Sequence, residues 1–463
     1  MKMQGSLKWM VFILCILTTL SFCHAKQAKF EKFDEFLNTI LEWRNKQKIQ
    51  MQSKNSELKL TVPMMISGAL CFLAASISSA GGIGGGGLFI PILTILAGLD
   101  LKTASSFSAF MVTGGSIANV ACNMVIKGEK STLIDYDIAL LSEPFMLLGV
   151  SVGVICNVML PEWLITIMFA VFLGWSTFKT FKSGISYWKL ESEGMKSGRN
   201  GCQELENGIT SDNDRSREAV QSLEEPLLHK ETSFYKLDIP WMKMGMLILI
   251  WFCFFIVYLL RGNHSRQGII MIETCGVGYW IISSTQIPLA ILFTLWILYG
   301  RKSRNNHAHQ KELGSETKDR GPDKFVFPVM ALLAGGLGGV FGIGGGMLIS
   351  PLLLQVGIAP EVTAATCSFM VFFSSTMSAI QYLLLGMNHV YAAIIFAIIC
   401  FIASLIGLVV VQKAIAKQGR ASLIVFSVGI VMALSTVLIT SFGAVDVWRD
   451  YNAGKYMGFK KPC

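Results

Sequence analysis

Two stretches of this chain carry residue types that could do chemistry in an apolar environment. Gly82-Ile83-Gly84-Gly85-Gly86 recurs 260 residues later as Gly342-Ile343-Gly344-Gly345-Gly346. In the same register Pro91 matches Pro351, Thr103-Ala104 matches Thr363-Ala364, and Ser108 matches Ser368. A helix broken at glycines leaves backbone N–H groups unpartnered at the start of its second part, where the helix dipole adds partial positive charge. Glycine has no side chain, so a small oxyanion can approach those donors closely. Gly84, Gly85 and Gly86, with Gly344, Gly345 and Gly346, are therefore candidate anion-binding positions. Thr103, Ser105, Ser106 and Ser108, with Thr363, Thr366 and Ser368, supply hydroxyls that can donate to anion oxygens. Pro91 and Pro351 are expected to fix the helix breaks. Neither motif contains lysine or arginine, so backbone donors would carry the anion contact.

Plainer roles exist for each part. Glycine runs let membrane helices pack closely, and serine or threonine in a helix often bonds only to its own backbone. Duplication together with a matched proline and a matched hydroxyl tail favours a shared function over packing alone. Intramembrane ionisable residues are few, which makes Glu143 and Glu273 candidates for coupling to protons. The 11 cysteines show neither a CxxC pair nor a His/Cys cluster at ligand spacing, so small buried hydrophobes are expected and no metal site. No hydrolase or redox constellation is visible; the expectation is no enzyme and no cofactor.

The elements that position these residues follow from composition. Of 463 residues 52% are hydrophobic and 15% charged, with mean hydropathy +0.54. Several apolar runs exceed 18 residues, about what a helix needs to cross hydrocarbon. The net charge of +9 says little about nucleic acid, and no nucleic-acid partner is expected, because basic residues between spans normally set orientation. The partners expected are the lipid bilayer and a small anion, with protons as coupling ion.

Residues 1–25 look like a signal peptide: Lys2 and Lys8 precede an apolar stretch that ends at Cys23-His24-Ala25. Residues 26–60 would then be lumenal or extracellular, in a plasma-membrane or endomembrane protein of the secretory pathway. A first transmembrane repeat spans 61–181, a cytosolic disordered loop 182–237, linking transmembrane segments 238–300, a second cytosolic loop 301–324, a second repeat 325–442, and a tail 443–463. The sequon Asn263-His264-Ser265 falls in a loop on the outer side and is a candidate glycosylation site.

Length bears on the glycines as well. Residues 62–98 as one helix would run about 55 Å, nearly twice the hydrocarbon thickness. That segment must break or turn back, and its weakest place is the glycine run. With Lys127 and Lys130 on the cytosolic side, 62–126 must cross an odd number of times, which again requires a broken or re-entrant segment. The second half starts inside, so the two halves would be inverted. The sequence thus predicts an all-α polytopic membrane protein of about 9–11 transmembrane segments, made of two homologous inverted repeats with broken glycine-rich helices.

The paired motifs at 82–108 and 342–368 resemble those of the TauE/SafE sulfite exporter family. With the spans around them the resemblance covers most of residues 60–442, and the signal-like start, the long central loop and "CGVGYW" at 275–280 look like plant members. The resemblance implies a permease for small sulfur-containing anions, sulfite or organosulfonates. Two other functions are compatible with the residues: a passive anion channel, and a membrane scaffold or trafficking adaptor acting through loop 182–237.

Overall fold

A computed structural model describes residues 62–79, 81–82, 85–125, 133–206, 241–261, 277–309, 323–418, 422–452, 454 and 458. The expected signal peptide, segment 26–60, Asn263, Glu273 and Gly84 lie outside the described residues. So does 207–237 of the central loop.

Among the described residues all regular structure is helical. The first half comprises α1 (Val62–Ser79), α2 (Gly86–Ile95), α3 (Leu101–Val125), α4 (Tyr136–Met159) and α5 (Glu162–Glu206). Three linking helices follow: α6 (Trp241–Arg261), α7 (Val277–Ser284) and α8 (Gln286–His309). The second half comprises α9 (Asp323–Phe341), α10 (Gly346–Val356), α11 (Pro360–Leu384), α12 (Val390–Gln418) and α13 (Ser422–Asn452). Among the described residues eight stretches are long and apolar enough to cross a membrane. The chain is an integral, multi-pass, all-α membrane protein. Helix α3 has 25 residues, or about 37 Å, but is more polar, carrying serine, threonine and asparagine among its apolar residues.

Polarity is arranged for lipid. Leu70, Val171, Ile398 and Leu434 face outward, whereas Ser108, Asn119, Glu143 and Gln381 are buried among the helices. Because lipid tails are as apolar as leucine, helices here associate through close packing of small residues. The α4–α9 seam is an example. A Cβ built on Gly149 would lie 2.2 Å from the Leu332 carbonyl oxygen, and one on Gly153 would lie 2.1 Å from that of Gly336. In the other half Gly407 of α12 stands the same way to α1, 2.0 Å from the Ser76 oxygen.

Side-chain contacts give the helix directions. Gly68 and Phe107 both meet Phe396, and Ser79 bonds Asn119, so α1 and α3 run the same way. The chain between them, α2 included, must therefore turn back. Helix α11 runs parallel to α4, since Asp135 N–H donates to Thr366 Oγ1 and Gln381 Nε2 donates to Ser151 Oγ. Helix α9 is also parallel to α4: Gly335 packs on Met146 and Asn157 Nδ2 donates to the Val340 carbonyl. Thus α10 is the returning piece of the second half. Lys102 at the start of α3 donates to the Val158 carbonyl at the end of α4, so α3 and α4 are antiparallel. It follows that α1 and α3 oppose α9 and α11.

Three helices run past the boundaries that hydropathy draws. Helix α5 continues to Glu206 through residues expected to begin a disordered loop, α8 to His309, and α13 to Asn452. Hydropathy marks where the bilayer ends. A helix ends only where a glycine, proline or cap stops it, and Lys, Glu, Met and Leu after residue 181 are good helix formers. The α5 extension is tied down on its way: the Glu191 carboxylate accepts from the N–H and hydroxyl of Ser422 at the start of α13.

Candidate functional site

The two short helices begin alike. Gly85 precedes α2 with φ +80°, and Gly345 precedes α10 with φ +70°. A left-handed turn costs a residue with a Cβ about 1–2 kcal/mol, so glycine is what lets the chain double back and start a helix there. In α2 the Leu88 N–H turns back to the Gly85 carbonyl at 3.1 Å, and the amides before it lack the acceptor one turn back that later residues have. Pro91 and Pro351, expected at the breaks, instead lie inside α2 and α10, after their first turn. The turn itself is made by glycine.

The two tips meet. A Cβ on Gly86 would lie 2.8 Å from Ile343 Cα of the other motif and 2.9 Å from Val112 Cγ2. One on Gly344 would lie 3.1 Å from Val112 Cγ1 and 3.3 Å from Ser375 Cβ. Val112, midway along α3, is thus shared by both tips. Each tip is also seated on a helix of the opposite half. A Cβ on Gly82 would be 2.0 Å from the Ala364 oxygen of α11, and one on Gly342 would be 1.9 Å from the Ser105 oxygen of α3.

The hydroxyls expected from the sequence are only partly brought to this place. Ser105 donates to the Leu101 carbonyl, Ser106 to that of Thr103, and Thr363 to that of Ile358, so each serves nearby backbone. The Thr103 N–H donates to Asp100 in the first turn of α3. Thr366 holds the entry of α4 through Asp135. Ser108 is fully buried with no hydrogen-bond partner, and Ser368 joins a polar cluster. In that cluster Asn119 Oδ1 accepts from Ser79 Oγ, while Asn119 Nδ2 donates to the Ser79 carbonyl and, at 3.5 Å, to Ser368 Oγ. Ser79 Oγ also lies 3.1 Å from the Ser404 carbonyl, so four helices converge there.

Hydroxyls that sequence reasoning missed sit closer to a tip. Ser374 donates to the Gly344 carbonyl at 2.8 Å, Ser375 borders Gly344, and Ser378 is buried without a partner. At the corresponding places α3 has Gly114, Gly115 and Ala118, so the centre is polar on the second-half side. Slid by 260 residues, the sequence shows those serines; what hid them is that they match nothing. Among the described residues no group of three His, Cys, Asp or Glu could hold a metal. Beside the first tip lies a cavity of about 10 Å³ lined by Gly81, Thr363, Ala364 and Ser350, room for one water at most. That space is too small for a polyatomic anion. An apolar groove of about 510 Å³ between α5 and α13, bordered by Thr166, Ile167 and Trp448, shares no lining residue with the tips.

The Asn119 cluster makes a test of this geometry. Asn119→Leu keeps similar volume but removes the hydrogen bonds to Ser79 and Ser368, at about 0.5–1.5 kcal/mol each, since Ser79 Oγ retains the Ser404 carbonyl and Ser368 Oγ the Ala364 carbonyl. The expected result is a lower melting temperature in detergent. Ser79→Ala in the Asn119→Leu background should add less than Ser79→Ala alone, which a double-mutant cycle measures.

A family model described as "Sulfite exporter TauE/SafE" matches residues 3–182 and 242–436. The chain belongs to the TauE/SafE family. It is 56% identical over 471 residues to "Sulfite exporter TauE/SafE family protein 2" of Arabidopsis thaliana, covering 100% of both chains. It is 59% identical to "Sulfite exporter TauE/SafE family protein 5" of the same plant, over 92% of this chain and 93% of that one. A shorter likeness, 32% over 111 residues, reaches "Probable membrane transporter protein YunE" of Bacillus subtilis (strain 168), over 22% of this chain and 41% of that one. No solved structure matches. The resemblance carried by the paired motifs is therefore family membership, and a plant-type member fits the relatives found. TauE/SafE is a family of membrane transporters rather than enzymes, which implies a bilayer and a small anionic substrate as this chain's partners.

Proposed function

We propose that this TauE/SafE protein is a secondary transporter of a small sulfur oxyanion, sulfite or an organosulfonate, built from two inverted repeats and coupled to protons. One observation carries the reading. Two glycine-capped helices of opposite halves have their N-termini side by side, both against Val112. Converging N–H groups and dipole ends favour a negative charge there, and glycine lets its oxygens come within hydrogen-bond distance of the backbone. The opposed directions of α1, α3 and of α9, α11 support the inverted relation, an architecture that in many transporters surrounds a midplane site with discontinuous helices. Closed tips support a carrier over an open channel, because the anion must be admitted by movement. The printed names of the relatives support sulfite as the first anion to try.

The test is flux in proteoliposomes made with the purified full chain. Sulfite uptake is expected to saturate and to be inhibited by organosulfonates. Uptake that rises linearly without saturation would mean a channel, and no movement of sulfite or any sulfonate would overturn the substrate class.

A further inference from the structure

Glu143 is fully buried in α4, and neither carboxylate oxygen has a hydrogen-bond partner. A buried carboxylate is normally paired or neutral. Four helices, α6, α8, α9 and α11, pack most closely on α4, and Lys102 of α3 is held at its far end by the Val158 carbonyl. Their described side chains include one basic group, Lys243 of α6, and it pairs with Asp137 at 2.7 Å. The other titratable groups on these helices are Cys253 and Tyr258 on α6, Tyr299 on α8, and Glu361, Cys367 and Tyr382 on α11. On α4 itself they are Tyr136, Asp137 and Cys156. Tyr382 donates to the Gly339 carbonyl, and Tyr299 is exposed. None of these can neutralise a carboxylate.

The surroundings suit a proton. Pro144 lacks an N–H, so the carbonyl of Leu140, one turn back from Glu143, is released as an acceptor. Lys243–Asp137 and Tyr258–Ser151 set α6 parallel to α4 and bring Trp251 level with Glu143. The buried indole N–H of Trp251 also lacks a partner. A carboxyl O–H can thus donate to the freed Leu140 carbonyl.

The position is linked to the second tip. Met146 lies one turn from Glu143 on the same face of α4. Its Cε would be 3.1 Å from a Cβ on Gly345, the residue that starts α10, and its carbonyl abuts Gly335. Gly407 stands to α1 as Gly153 stands to α9, and in that register Ala397 occupies the place of Glu143. One half alone carries the carboxylate.

Resting on the transporter reading above, we propose that Glu143 is the proton-carrying residue of this protein and that it gates the α10 tip through Met146. Protonated, Glu143 lets α4 and α9 stay packed with Met146 against Gly345. When its O–H bond breaks and the proton leaves to water on one side, the carboxylate must itself reach water, which parts this seam and frees the tip. An anion at the tip and an ionised Glu143 repel, so bound anion favours the protonated carboxyl. Anion and proton therefore travel together, as a symport.

The experiment compares wild type with Glu143→Gln in proteoliposomes of the full chain, reading two rates. Sulfite-for-sulfite exchange without a pH gradient should fall about tenfold or more, a step of about 1.4 kcal/mol, since glutamine, like the protonated acid, keeps the seam packed and the tip closed; exchange at the wild-type rate would overturn the gating step. Sulfite accumulation driven by a pH gradient should fall to the level seen without one. Accumulation that persists in Glu143→Gln, or that follows a sodium gradient in wild type, overturns the proposal. A second measurement needs no variant and no substrate. A hydrophobic carbodiimide, which reacts with protonated carboxyls, should modify Glu143 of wild type, less so as pH rises. An unmodified Glu143 overturns the proposal even if the variant fails to fold. Wild type that exchanges no anion while Glu143 is modified sinks the anion assignment instead.

Discussion

Gly345→Leu is expected to reduce sulfite flux by about 100-fold or more, which corresponds to about 2.8 kcal/mol at 1.4 kcal/mol per tenfold. Two costs reach that figure together. A leucine held at φ +70° costs about 1–2 kcal/mol. Its Cβ would also press on the Ala334 carbonyl at 2.8 Å and on Met146 Cε at 3.1 Å, an overpacking term of about 1–3 kcal/mol. The chain can relieve both by tilting the start of α10, which moves the amide donors away from the anion. Gly85→Leu should behave alike, because its Cβ meets Phe89 Cζ at 2.6 Å and Ser78 Oγ at 2.8 Å. Gly357→Leu is the control: it has the same backbone hand, φ +92°, with nothing within 4 Å. Flux is measured on variants that elute as a single species in detergent. Gly345→Leu flux equal to that of Gly357→Leu would remove Gly345 from the site.

How much of this was legible in the sequence depends on the kind of signal. The helix break was, because a stretch too long for one crossing and too glycine-rich for a stable helix can only bend, and Gly85 and Gly345 do take left-handed turns. That the two tips touch, Gly86 against Ile343, depends on which helix faces which, and no local pattern encodes that. The hydroxyl tail was legible as composition but not as geometry. Ser105 and Ser106 spend their protons on their own helix, and the sequence cannot distinguish that from a free hydroxyl. Asn119 and Ser374 were missed for the opposite reason. Each sits among other small polar residues of its helix, and its importance appears only when α1 or the Gly344 carbonyl is beside it. Glu143 needed no neighbour to be noticed, since a charge in a span is costly anywhere, but its link to Gly345 through Met146 is a fact of packing.

Seating each tip on the opposite half has a consequence for stability. Gly342→Ala places a methyl 1.9 Å from the Ser105 carbonyl oxygen, and Gly82→Ala places one 2.0 Å from that of Ala364. Both obstacles are helix backbone, which cannot rotate aside as a side chain can. The halves must therefore separate locally, and about 1–3 kcal/mol of overpacking adds to about 1–2 kcal/mol for a left-handed alanine. Against a typical stability of about 5–15 kcal/mol this is a large fraction. Both variants are expected to lower the melting temperature in detergent well below that of Gly357→Ala, which carries the conformational term alone. The two should also lower it by similar amounts, because the two contacts are alike in distance and in kind. If one melts like wild type while the other collapses, the halves do not grip each other reciprocally. The tip that tolerates the methyl would then be the one that moves first when the anion enters.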